Sequence, residues 1–266
     1  MIISANVIAI CFYLFAAIYQ GKYLLNKSTN PPRVEWLFSM GLIAAVAHGF
    51  SAFQTIYHDQ NLDLGIFRVS SLIFWFITTI SLINIMRRRA STILLSFLFP
   101  FAALSIIAST LASTPRELSS SISPGLVTHI LCSILAYSVL TIAAIQAAIL
   151  TLQIHELKQH KIAGILRAMP SLQTMEQMLI EMIWIGVALL TISLLSGMLF
   201  IDDIFAQHLT HKIVLSSIAW LIFSALLWGR YKLGWRNLTA AKWTFGGFIF
   251  LMLSYFGSKF VLELIL

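Results

Sequence analysis

Residues 126–153 read LVTHILCSILAYSVLTIAAIQAAILTLQ, twenty-eight positions without one Asp, Glu, Lys or Arg. About 20 apolar residues, each rising ~1.5 Å, suffice to cross the ~30 Å hydrocarbon of a bilayer. The stretch does not alternate apolar and polar as a half-buried strand would. A helix that is apolar all round belongs in a large core or in lipid. Composition decides between these: hydrophobic residues make up 59% of the chain, charged residues only 10%, and the mean hydropathy is +0.90. A soluble domain carries about 25% charged residues. Lipid is therefore the solvent, which excludes a cytoplasmic enzyme, a nucleic-acid module and a disordered tail.

Working outward, seven more runs satisfy the same length rule, at about 2–20, 35–56, 66–86, 91–111, 174–200, 211–229 and 243–263. No base precedes the first run and Lys22 follows it, so it reads as a retained anchor rather than a secretory signal. The net charge of +7 is unevenly spread. Thirteen of the seventeen Lys and Arg fall in one set of alternate loops, around Lys22–Arg33, Arg87–Arg89, Lys158–Arg167 and Arg230–Lys242. Cytoplasmic loops hold the excess of bases. The expected fold is thus an all-α integral membrane protein, a single transmembrane domain over residues 1–266. It is a bundle of about eight transmembrane helices with N- and C-termini both outside (periplasmic).

Ionisable groups within such runs are costly, and each is a candidate site. His48 lies inside the second run among small neighbours, Ala44-Ala45-Val46-Ala47-His48-Gly49. His129 and His211 each open a run entered from outside, which puts both imidazoles near the outer rim. Two imidazoles approaching from parallel helices can coordinate a metal, or the iron of a flat macrocycle, from opposite sides. Histidines that only hydrogen-bond at the interface, or a His48 bonded to a neighbouring carbonyl, are the alternatives. Among carboxylates, Glu181 reads as the deepest and Glu176 as lying at the cytoplasmic mouth, while Gln146 reads as an interhelical hydrogen bond. Trp75, Trp184 and Trp220 are deep enough to line an apolar pocket. Cys11 and Cys132 form no C-x-x-C pair, and P-loop, H-E-x-x-H and G-x-S-x-G motifs are absent.

The run that opens the reading continues as a pattern. His129-Ile130-Leu131-Cys132-Ser133-Ile134-Leu135-Ala136-Tyr137-Ser138 resembles the "LH…L-S/A-Y-A" helix of the cytochrome c assembly (CcsA-like) membrane protein family. The likeness extends through Leu172-Gln173-Thr174-Met175-Glu176, Leu195-Ser196-Gly197, His211-Lys212-Ile213-Val214-Leu215-Ser216, Gly229-Arg230, Gly234-Trp235-Arg236 and Tyr255-Phe256-Gly257. It is strongest over 125–266 and is similar in particular to the HemX/YpjD-type branch.

The resemblance implies a multi-pass protein of the bacterial inner (plasma) membrane that handles haem in cytochrome c-type biogenesis. It also implies that His129 is a haem ligand, because an outward histidine opening this helix ligates haem in the family. The family's tryptophan-rich "WG-x-x-W-x-W-D" segment is replaced here by Phe200-Ile201-Asp202-Asp203-Ile204-Phe205-Ala206-Gln207-His208. His211 is therefore a candidate by position alone.

The reading that results is non-covalent binding of haem b near the periplasmic face, with His129 and His211 as axial ligands and His48 as a deeper second site. It is coordination without turnover, so no enzyme is expected. Partners would be membrane lipid, haem and a cytochrome c assembly or cytoplasmic protein, with no nucleic acid. The alternative is a non-catalytic regulator or scaffold of a partner system such as tetrapyrrole synthesis. A small-solute transporter ranks below both.

Overall fold

The computed structural model describes residues 2–24, 33–58, 61–87, 92–112, 117–118, 124–159, 169–200 and 207–257. Within the stretches named above, Lys27, Arg88, Arg89, Lys161, Arg167 and residues 201–206 lie outside that set, as do residues 258–263 of the last run.

In hydrocarbon every backbone N–H and C=O must be satisfied within the segment, so apolar runs become helices. Eight do so: α1 (Ile2–Leu24), α2 (Val34–Ile56), α3 (Ile66–Arg87), α4 (Thr92–Leu111), α5 (Pro124–Lys158), α6 (Leu172–Phe200), α7 (Gln207–Lys232) and α8 (Asn237–Met252). Over the described residues each expected run falls on one helix, the last as far as it is described. Among these residues seven helices are long and apolar enough to cross a membrane. The eighth continues from α8 into a π-helical turn, Leu253–Gly257. At 35 residues, α5 is ~52 Å long and exceeds the hydrocarbon. Its polar tail from Gln153 to Lys158 accounts for ~9 Å of the surplus.

The only extended pairing among the described residues is a ladder of β1 (Tyr57–His58), β2 (Asn61–Asp63) and β3 (Glu117–Leu118), antiparallel throughout. It ties the α2–α3 link to the segment after α4. Asp63 anchors it from within: the Arg68 guanidinium bonds its carboxylate, and its Oδ1 accepts the Gly65 N–H at 3.0 Å.

Contacts divide the chain into two compact units. The first comprises Met1–Ser120 and Glu156–Pro170, the second Ser121–His155 and Ser171–Leu266. In the first, α1 packs on α2 and α4, and α3 on the same two helices, closing a four-helix bundle around Tyr13, Leu37, Ile77, Leu95, Leu98 and Phe99. In the second, α7 packs on α6 and α8. There α5 meets α6 where Gly125 faces the Phe200 ring, and its Tyr137 meets Phe248, Tyr255 and Phe256. Gln146 makes the interhelical bond expected of it, donating to the Met175 carbonyl at 3.3 Å. Of the deep tryptophans, Trp75 in the first unit donates to Ala45 O at 2.8 Å, while in the second Trp220 donates to Thr191 Oγ1 at 2.8 Å and Trp184 is exposed.

Candidate functional site

His129 sits in the second turn of α5, half-buried against α6. Its Nδ1 donates to the main-chain carbonyl of Ser193 at 2.8 Å. Ser196 Oγ donates to the same carbonyl at 3.0 Å, and the Ser133 and Ser193 hydroxyls lie 2.7 Å apart. Ser133 also bonds the His129 carbonyl, one turn back. This cluster fixes both the ring plane and the tautomer: with the proton on Nδ1, the lone pair is on Nε2. Nε2 makes no hydrogen bond among the described residues. A histidine that donates one ring N–H to a carbonyl while offering the other nitrogen is the usual arrangement of a metal-binding imidazole. Close approach of α6 depends on Gly197. A Cβ there would stand 2.9 Å from Cε1 and Nδ1 of the His129 ring.

His211 lies in the second turn of α7 and is exposed. Helix register sets its level. The Trp220–Thr191 bond joins α7 to α6. Nine residues back along α7 is His211, and nine forward along α6 is Phe200, whose ring meets Gly125 of α5. His211 is therefore level with Gly125, at the same end of the unit as His129 and ~6 Å further out along the axis. No hydrogen bond links the two imidazoles among the described residues.

His48 belongs to the other unit and is 1% exposed. Both ring nitrogens are engaged, Nε2 with Ser71 Oγ at 2.9 Å and Nδ1 with Tyr13 Oη at 3.3 Å. Tyr13 Oη also lies 3.2 Å from Thr78 Oγ1. One helical repeat further out, the Asn6 side chain bonds Thr110 and Ser51. The buried face of α1 thus carries Asn6, Tyr13 and Gln20 at seven-residue spacing. That period was visible in the sequence, but the partners were not.

Burial orders the carboxylates differently from depth along the run. Glu176, read as a mouth residue, is 2% exposed, whereas Glu181, read as the deeper, is exposed. Five residues of helix separate them by about 140° of rotation, so burying one turns the other out. Glu176 Oε1 accepts from Arg230 and, at 3.3 Å, from Arg236 Nε. The local fold explains this convergence. Gly234 at φ +66 and Asn237 at φ 51 allow a four-residue reversal between α7 and α8. Leu233 N and Trp235 N both bond the Gly229 carbonyl. The reversal lays the Trp235 ring on Gly229, where a Cβ would come within 2.3 Å of it, and stacks it on Trp243 at 4.8 Å.

Among the described residues no three His, Cys, Asp or Glu side chains gather to hold a metal ion. A bare ion would want three or four protein ligands. A macrocycle that brings its own equatorial nitrogens wants one or two. The donor set around His129 fits the second kind of guest.

The family described as Cytochrome C assembly protein matches residues 36–266. Inner membrane protein YpjD of Escherichia coli (strain K12) is 32% identical over 226 residues, 84% of this chain and 85% of that protein. Protein HemX of Brevibacillus brevis is 29% identical over 151 residues, 55% of this chain and 56% of that one. An uncharacterized 28.8 kDa protein from the nifR3-like 5' region of Azospirillum brasilense is 28% identical over 182 residues, 67% and 66% of the two chains. No solved structure matches.

Proposed function

Because the chain belongs to the cytochrome c assembly protein family, we propose that it binds haem b non-covalently at the His129 end of its second unit. It is a multi-pass protein of the bacterial inner membrane. Its role is haem handling in cytochrome c-type biogenesis. The observation that carries this reading is the Nδ1–Ser193 bond, which holds the His129 ring with Nε2 as the free donor. His129 would hold the haem iron through Nε2. His211, at the same end and exposed, would be the second ligand. His48 would serve as a second site only by giving up its contact with Ser71 or Tyr13.

Bound haem would supply the iron, and the protein supplies an imidazole and its orientation. That is coordination, with no catalytic turnover. Titrating haemin into the detergent-solubilised protein tests it. A saturable Soret shift in the wild type that is lost in His129→Ala supports the reading. No shift in the wild type, or an unchanged one in His129→Ala, contradicts it.

A further inference from the structure

The end of the second unit opposite His129 carries a charge imbalance that haem binding does not use. Glu176 lies seventeen residues before Ser193 on α6, ~26 Å along the helix axis. Two guanidinium groups converge on its single carboxylate, leaving one positive charge without a described counter-ion there. Glu181, the nearest other acid on α6, points to a different face. Lys232 and Lys242 add to the excess. An excess of exposed basic charge beside a membrane surface attracts an anion. Arg236 is built to receive one: it touches Glu176 through Nε, and its side chain is 58% exposed. Its two Nη groups make no hydrogen bond among the described residues. Beside it stand the stacked Trp235 and Trp243, and Trp228, Tyr231 and Leu233 are exposed apolar surface. Phosphate above and hydrocarbon alongside is the chemistry of a lipid headgroup at the membrane boundary.

We infer that Arg236 and Arg230, held by Glu176, form a binding site for the phosphate of an anionic phospholipid. The site is independent of haem. Arg236 contacts the headgroup phosphate, Arg230 supplies second-rank charge, and the exposed aromatic surface takes the acyl chains. A guanidinium suits this better than an ammonium because its fork matches two phosphate oxygens.

The test is native mass spectrometry of the full chain in detergent, titrated with short-chain phosphatidylglycerol, phosphatidylcholine or inorganic phosphate. Expected is preferential retention of phosphatidylglycerol, lowered about fivefold by Arg236→Gln and only partly restored by Arg236→Lys, which keeps the charge and loses the fork. Lys242→Gln removes an equal charge from α8, the helix that Arg236 precedes, and should change it much less. Equal retention of the two lipids by the wild type overturns the site. Equal losses in Arg236→Gln and Lys242→Gln overturn it too, since they would mean a diffuse basic surface. Inorganic phosphate that displaces phosphatidylglycerol would overturn the lipid source and leave a free-phosphate site.

Discussion

The imidazole Nδ1 of His129 lies 2.8 Å from the main-chain carbonyl oxygen of Ser193, sixty-four residues further along the chain. A backbone acceptor cannot be mutated away, so the way to disturb this bond is to move the helices apart. Gly197 offers that handle. An alanine methyl would stand 2.9 Å from the ring, and either α6 or the imidazole must shift. Gly197→Ala should therefore weaken haem uptake by roughly 10–100-fold, the usual cost of disturbing an outer-shell partner, while the protein still purifies as a folded species. Haemin titration measures it. Unaltered affinity would detach the Ser193 bond from the function.

His211→Ala should act differently from His129→Ala. His211 is exposed and makes no hydrogen bond among the described residues, so its loss should not unfold the bundle. If it holds the haem together with His129, its loss would vacate one of two imidazole ligand positions, read as a change from a low-spin to a high-spin spectrum with haem retained. A His211→Ala spectrum identical to the wild type would assign that position to another ligand.

His48→Ala removes one partner each from Tyr13 and Ser71 in a buried network. A buried polar group left unpaired costs about 1–3 kcal/mol. The expected outcome is a lower melting temperature, with the Soret absorbance per folded molecule unchanged. Loss of absorbance without loss of stability would instead make His48 a ligand.

Glu176→Ala and Arg236→Ala separate buried from exposed charge. Removing Glu176 strands two arginines and should destabilise by about 3–5 kcal/mol. Removing the half-exposed Arg236 leaves the Arg230 pair intact and should cost under ~1 kcal/mol. Thermal melts of the solubilised proteins rank the two. Equal losses would mean that Arg236 is as essential to the pair as Arg230.

The distribution of bases, thirteen against four, predicts that the link after α5 faces the cytoplasm. A cysteine at Lys158, at the end of α5, should react with a membrane-impermeant maleimide only after the inner membrane is opened. Labelling of intact spheroplasts would invert the topology.

How much of this was legible in the sequence follows from what lipid demands of a chain. Hydrocarbon tolerates only long apolar helices, so all eight runs and most of their limits could be read directly. What packs against what could not. Ser193 as the partner of His129, and Ser71 and Tyr13 as partners of His48, arise from contacts across helices 23 to 64 residues apart. Glu176 and Glu181 show the same limit. Depth along a run is countable, but which side of the helix faces the interior is set by neighbours. The Gly229-Arg230 and Gly234-Trp235-Arg236 motifs were visible as a pattern. Their purpose, bringing two guanidinium groups to one carboxylate, needed the left-handed turn at Gly234 and Asn237.

Absorbance of the protein purified from haem-replete cells, oxidised and then reduced, tests haem coordination most directly. The wild type should show a Soret band and, on reduction, a sharp α band, both at least about tenfold weaker in His129→Ala at equal protein. A colourless wild-type preparation that also takes up no added haemin, or a His129→Ala spectrum matching the wild type, would contradict it.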